Sequence, residues 1–313
     1  MRITILIPVY GVEKYIEECA VSLLSQTYMD IEYVFCDDCT PDKSMEILQG
    51  VIEKYPQRKS DVRIIRNEHN RGLGYTRKRL TEALRTDYFM IVDSDDVLPY
   101  DAVEKLVYAA RKNDTDIVEG GFCYYANGRK GEMVTPYHGS HKTYVNKILC
   151  QNMVKTPVWG KLFKGKVLHD VENLFVEGID FSEDLCAMSR LVAVASISSV
   201  ADEVYYYRTD NLSSYTKNIS EKNILSYLRA SRVMYSFYHQ RSELPVALEI
   251  GLLNAYRECR KSGISTEKAD EIIRYLPEHA TTKLLFAMFR NASVPLSVTD
   301  MLYRCVRFLV CLK

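Results

Sequence analysis

Asp93-Ser94-Asp95-Asp96 sets three carboxylates within four residues, directly after the apolar run Tyr88-Phe89-Met90-Ile91-Val92. The run reads as a buried strand, so the carboxylates fall at its C-terminal end. Like charges this close repel, and burying them unpaired is costly. A divalent cation relieves both problems. Mg²⁺ and Mn²⁺ take carboxylate oxygens, usually with substrate phosphates at other positions. In open α/β sheets, ligands bind beyond the carboxyl ends of strands. A plainer reading is an acidic loop opening the next helix, with Asp96 near its positive end. Taken alone, the cluster leaves both readings open.

Other groups fall at strand ends or in the loops that follow. Pro8-Val9-Tyr10 ends the run Ile3–Pro8, Asp37-Asp38 ends Ile31–Cys36, and Arg71-Gly72 with Arg77 opens the helix after Val62–Arg66. If these strands are parallel, all of them meet on one edge. An aromatic ring, carboxylates and arginines on one rim suit a nucleoside diphosphate with a metal. For either arginine, a surface ion pair is the alternative. Further along stands Trp159, the only tryptophan, followed by Lys161. Its ring can stack on a sugar or anchor a sheet from inside, and the lysine could reach a phosphate. Ser182-Glu183-Asp184 reads by itself as an N-cap and an acidic first helical turn. Cys36 and Cys39 form a lone C-x-x-C, and with no second pair nearby they do not make a zinc site.

The elements that must position these residues alternate. Strands at 3–8, 31–36, 62–66, 88–92 and 116–120 alternate with helices at 12–26, 43–55, 75–84 and 101–113. That order predicts βαβ units and a mainly parallel, Rossmann-like sheet flanked by helices. Near Gly120 the pattern changes. Phe122–Tyr125, Asn127-Gly128 and a second short run predict a hairpin, and 158–163 and 197–207 supply further short strands. Beyond about Ser220 the pattern is helical to the end, over 222–241, 245–261, 266–275, 280–290 and 298–312. Two domains follow: 1–215, which binds the nucleotide, and 216–313, which is helical. The formal net charge is zero, so bulk electrostatics favours no nucleic acid. Nine cysteines in no regular framework, and a first strand starting at residue 3, predict a reducing, cytoplasmic setting.

Residues 3 to about 110 resemble the family 2 glycosyltransferases, inverting enzymes of the type A fold. The segments that carry the resemblance are ILIPVYGVEKYIEECAVSLLSQTY, IEYVFCDDCTPDKS, NRGLGYTRKRL and YFMIVDSDDVLP, with VWGKLF, FSEDL and YYYR matching more loosely. The family shows PVYN, DDGS followed by an acid, G-x-x-x-A-R, and D-x-D-D. The resemblance implies that Pro8 and Tyr10 lie against the base and that Asp38 accepts from the base edge. It implies that Asp93 and Ser94 lie at the ribose and that Asp95 binds the metal, Mn²⁺ or Mg²⁺. Arg71 or Arg77 would contact base or phosphate, and Arg208 and Ser213 would close over the diphosphate. An E-D pair at this distance past D-x-D is where the family places its base. Asp184 is therefore the expected base, with Glu183 and Trp159 on the acceptor side. Two departures stand out. Gly11 replaces the Asn of PVYN, and Cys39-Thr40 replaces the Gly-Ser of DDGS. If the family's glycine needs a positive φ, Cys39 is strained or the loop is reshaped.

The expected activity is transfer of a sugar from a nucleotide-sugar, UDP-linked by preference, to a hydroxyl of a glycan or lipid-linked glycan in bacterial surface polysaccharide synthesis. A nucleotidyltransferase and a non-catalytic nucleotide-binding scaffold are the alternatives. The last helix mixes apolar residues with Arg304, Arg307 and Lys313. It reads either as a helix packed on its neighbours, which accounts for most such stripes, or as a peripheral contact with the inner face of the cytoplasmic membrane.

Overall fold

The computed structural model describes residues 1–151, 155–211, 220–291 and 293–311. The chain divides into two compact units. One comprises Met1–His138, Val158–Gly178 and Val194–Lys217; the other comprises Gly139–Pro157, Ile179–Ala193 and Asn218–Lys313.

The first unit opens with β1 (Ile3–Val9), α1 (Ile16–Leu24), β2 (Ile31–Asp37), α2 (Ser44–Lys54), β3 (Val62–Arg66), α3 (Leu73–Glu82), β4 (Tyr88–Ile91) and α4 (Ala102–Asn113). A hairpin of β5 (Ile117–Ala126) and β6 (Arg129–Val134) follows. After α5 (His141–Leu149), part of the second unit, come β7 (Lys161–Lys164) and the one-turn α6 (Val167–Asp170). Another helix of the second unit, α7 (Glu183–Leu191), precedes β8 (Ile197–Arg208). The remaining helices are α8 (Glu221–Gln240), α9 (Val246–Lys261), α10 (Thr266–Ile273), α11 (Ala280–Arg290) and α12 (Leu296–Cys311).

The sheet order is β3-β2-β1-β4-β7-β5-β6, with β8 on β5. β1, β2, β3 and β4 are mutually parallel, β7 is antiparallel to both its neighbours, and β8 is parallel to β5. This is the mixed, mainly parallel architecture expected. Every residue of β1 is buried, which is why its sequence is apolar at every position but Thr4, whose hydroxyl donates to Glu32 at 3.0 Å, and does not alternate. The strand order runs outward from β1 in both directions, so the carboxyl ends of β1 and β4 flank a crevice. Pro8 pairs with Cys36, and Val9 with Asp37. The hairpin turn has Asn127 and Gly128 both at positive φ, 50° and 71°, the geometry an Asn-Gly pair adopts most easily. The sequence suggests two short strands before that turn. They are one ten-residue strand, because β7 and β8 both pair with β5 across Gly120 or up to it.

In the second unit α9 is central, with α5, α8, α10, α11 and α12 packed on it. A Cβ built on Gly251 would lie 2.0 Å from the Leu149 carbonyl oxygen, so only glycine lets α9 approach α5 this closely. Glu249, fully buried on α9, accepts from the backbone N–H of Glu278 at 2.5 Å and of His279 at 3.2 Å. It also accepts from the hydroxyls of Tyr275 and Thr282, at 3.0 and 2.7 Å. A carboxylate from one helix thereby caps the start of α11, whose N-cap His279 makes no side-chain capping bond and instead turns its Nδ1 to Glu249. Among the described residues, no helix is long and apolar enough to cross a membrane.

Candidate active site

The acidic loop after β4 is held on both sides by the sheet unit. Asp93 Oδ1 accepts from Arg77 Nη2 at 2.6 Å, and Arg77 is buried on α3. The Asp93 N–H donates to Tyr205 Oη at 3.1 Å, and that hydroxyl donates to Asp96 Oδ2 at 2.8 Å. The other Asp96 oxygen accepts from the Arg208 N–H at 2.7 Å. Val97 and Tyr206 then exchange backbone hydrogen bonds as an antiparallel bridge. Asp96 is thus a fastener, joining the loop to the end of β8. Asp95 lies between, accepting from Asn211 Nδ2 at 2.7 Å, while its carbonyl accepts from Arg208 Nε at 2.5 Å. Ser94 is buried.

Charge accumulates there. Burial, and then the neighbouring Asp93, raises Asp95 above the usual carboxylate range. Burial, then Asp95 and Asp93, pushes Asp96 well above it. The Cys19 thiol, buried beneath the loop with its Sγ 3.8 Å from the Asp93 carbonyl oxygen, is pushed up by burial and then by the same carboxylates. A cation would relieve this field. No group of three or more His, Cys, Asp or Glu side chains among the described residues could hold one unaided. Asp95 would hold an Mg²⁺ or Mn²⁺ ion, hard cations that ordinarily take one or two carboxylates together with substrate phosphate and water. The donor set does not fit an all-protein metal cage.

The rim formed by β1 and β2 is equally specified. Asp38, buried at the end of β2, accepts from the N–H groups of Arg71 and Gly72, both at 2.9 Å, and from Asn67 Nδ2 at 2.6 Å. Gly72, at φ +85°, is the N-cap of α3 and supplies no side-chain cap itself; Asp38 meets the exposed N–H groups in its place. Pro8 sits within β1, and Tyr10, just beyond the strand, is 46 % exposed. The Arg71 guanidinium donates to Glu177 at 2.5 and 3.0 Å and lies 3.6 Å over the Tyr75 ring. Cys39 adopts φ +56°, so the loop keeps a left-handed residue although glycine is absent. The Thr40 N–H donates to Asp37 at 2.8 Å, and the Thr40 hydroxyl donates to Asp42 at 2.7 Å. The same Thr40 oxygen accepts from the Gly11 N–H, and Asp42 accepts from Glu13 N–H. The two departures, at residues 11 and 39–40, are therefore stitched to each other.

Arg208 is caged. It bonds Glu18 on α1, lies 3.6 Å from Asp210, and stands over the rings of Tyr15 and Tyr125 at 4.9 and 5.1 Å. Trp159 is buried in the core, stacked on Tyr205 and Tyr207 at 4.4 and 5.2 Å between ring centroids and edge-on to Phe122. Buried Lys161 pairs with Glu119 at 3.1 Å. Glu183 and Asp184 belong to the helical unit and form the first turn of α7, after Ser182 at φ +66°. Ser213 lies outside the described residues. The structure thus places Pro8, Tyr10, Asp38, Arg71, Arg77, Asp93, Ser94, Asp95 and Arg208 in the sheet unit, in or beside the loops that follow β1, β2, β3 and β4. Sequence reasoning passed over Tyr205, Asn67, Asn211 and Glu18. A run of three tyrosines before Arg208 hints at the first; nothing in the sequence marks the others.

The chain resembles known proteins in both sequence and fold. Glycosyltransferase EpsJ of Bacillus subtilis, itself uncharacterized, is 29 % identical over 247 residues, 75 % of this chain and 70 % of that protein. A poly(ribitol-phosphate) beta-glucosyltransferase of Bacillus spizizenii is 30 % identical over 210 residues, 66 % of this chain and 32 % of that protein. The structure of S. aureus TarS residues 1–349 in complex with UDP superposes with a TM-score of 0.65 at 16 % identity, covering 98 % of this chain and 92 % of that one. A profile described as Glycosyl transferase family 2 matches residues 4–169, more than half of the sequence, and the chain belongs to that family.

Proposed function

We propose that the protein transfers a sugar from a UDP-sugar to a hydroxyl of a bacterial surface polymer, with inversion at the anomeric carbon. The observation that carries this reading is the fastened loop. Asp93 is committed to Arg77 and Asp96 to β8, so Asp95 is presented between fixed neighbours. Support for the donor comes from TarS, solved both with UDP and with UDP-GlcNAc. Support for a polymeric acceptor comes from the named activity of the poly(ribitol-phosphate) relative.

In this reading Tyr10 covers the base and the Asp38-ordered turn at Arg71-Gly72 frames its edge. Asp93 and Ser94 face the ribose. Asp95 holds a divalent ion that, when bound, neutralises charge on the departing diphosphate. Arg208 and Ser213 draw over the diphosphate as donor binds. On the acceptor side, Asp184 takes the proton of the attacking hydroxyl. The new bond forms between that oxygen and the anomeric carbon, and the carbon–oxygen bond to the β-phosphate breaks, its electron pair leaving with UDP. Glu183 orients the acceptor. Trp159, with its faces against tyrosines, backs Tyr205 from within the core.

A donor panel assayed with Mn²⁺ and with EDTA tests the proposal. We expect release of nucleoside diphosphate from a UDP-sugar and its loss in EDTA. Release of pyrophosphate from UTP in the presence of a sugar 1-phosphate, with no diphosphate released from the UDP-sugars, would instead mean a nucleotidyltransferase. Asp184→Asn is expected to lower turnover by about a hundredfold or more, within the range of a lost general base, with UDP affinity nearly unchanged. Asp95→Ala should weaken metal-dependent UDP binding in calorimetric titration. If Asp184→Asn instead lost UDP binding, its assignment as base would fail.

A further inference from the structure

The last helix carries two apolar faces, and only one of them is used for packing. Thr299 and Tyr303 are fully buried, with the Tyr303 ring 6.0 Å from that of Phe289. Asp300 pairs with Arg257 of α9. These contacts anchor α12 by one side. Val298, Met301, Leu302, Cys305, Phe308 and Leu309 are all exposed, the five apolar side chains among them by 37 to 60 %. At about 100° per residue these six positions fall within a stripe about 120° wide, turned well away from Tyr303. Their spacing of three and four is that of a designed contact face, not of scattered surface residues. Leu284 of α11 and Leu276 before it, in the same unit, are more exposed still, at 64 and 72 %.

Charge indicates what covers the stripe. Residues 301–313 contain Arg304, Arg307 and Lys313 and no acidic residue, in a chain whose formal net charge is zero. Arg304 is exposed, with Asp300 beside it at 2.9 Å, and Arg307 lies 5.6 Å over the Tyr303 ring. An apolar stripe flanked by exposed Arg304, in a segment with no acidic residue from 301 onward, suits lipid acyl chains below an anionic headgroup layer. A second copy of the chain suits it less well. A two-fold contact would place Arg304 of both copies near one another around a shared apolar seam. We propose that α12 lies flat on an anionic bilayer surface, its stripe in the headgroup–acyl boundary and Arg304 at the phosphates. The proposal is independent of the donor site and goes beyond the transfer reaction.

Flotation of the full chain with vesicles tests it. Phosphatidylcholine vesicles are compared with vesicles holding about 30 mol % phosphatidylglycerol, at low salt and at about 0.5 M salt. We expect at least about a tenfold higher bound fraction on the anionic vesicles, most of it lost at high salt. The variant Met301→Ser/Phe308→Ser/Leu309→Ser should lose that binding by about tenfold or more while keeping its melting temperature, since all three side chains are exposed. Should the triple variant melt early, Leu309→Glu alone gives the same reading. The proposal is overturned by equal binding to both vesicle types, or by full binding of the variants. It is also overturned if sedimentation shows a stripe-dependent dimer that ignores vesicles.

Discussion

Removing one oxygen at residue 205 measures how firmly the acidic loop is held. The buried Tyr205 hydroxyl accepts from the Asp93 N–H and donates to Asp96. Phenylalanine keeps the stack on Trp159 and deletes both bonds. We expect Tyr205→Phe to cost about 1–3 kcal/mol, the price of leaving buried polar groups unpaired, read by denaturant unfolding. UDP affinity should fall with it, because Asp93 loses its tie to β8 and Asp96 loses one of two, loosening the loop on both sides of Asp95. The carboxylates of this site are legible in the sequence, since each stands directly after a recognisable strand. Tyr205, Asn211 and Glu18 are not, because their partners are far away in the chain; Arg208 and Glu18 are 190 residues apart. The sequence poses a choice at Cys39, between strain and a reshaped loop. The structure takes a left-handed cysteine, at a cost of about 1–2 kcal/mol for a residue with a Cβ.

At the scale of elements, the alternating strands and helices of the first 113 residues stand where their hydrophobic periods put them. Elements without a clear period are harder. The sequence HKTYVNKIL forms α5, started by the Ser140 hydroxyl accepting from Thr143 N–H, yet its polar face hides it in a single sequence. Where α5 packs is set by Gly251. We expect Gly251→Ala to destabilise the helical unit by about 1–3 kcal/mol, as overpacking does, because the obstacle is backbone and not a movable side chain. Thermal melting would register the loss, while UDP affinity, a property of the sheet unit in our reading, should hold.

Taken as a whole, the molecule carries no net formal charge, so its response to acid is set by a few unusual groups. Burial pushes Asp42 upward, but the Ser44 and Thr40 hydroxyls and the Glu13 and Ser44 N–H groups outweigh it and hold this carboxyl below the usual range. Asp116 is lowered in the same way, with Ser196 and Lys166 overcoming burial. Stability from these two is present above the ordinary carboxylate range and lost as pH falls through their lowered values. Asp95 and Asp96 have the opposite sign: raised in the folded chain, they weaken it as pH rises through their raised values. Scanning calorimetry without metal or nucleotide should therefore show the melting temperature rising as pH falls from neutrality toward the ordinary carboxylate range, and falling again below it. Asp95→Asn should flatten the upper limb. The division into units is the least legible feature of all. Residues 139–157 and 179–193 join the helices at 218–313, and their composition does not distinguish them from the segments on either side.

Synthesis of this chain delivers the acidic loop long before its fasteners. Asp96 precedes Tyr205 by 109 residues, and Asn211 follows later still. On the ribosome, a nascent polypeptide stopped short of β8 has its first four parallel strands and the Arg77 tie to Asp93, but none of the ties that hold Asp95 and Asp96 in register. Capacity for the nucleotide should therefore arise late and abruptly, when β8 emerges and zips onto β5.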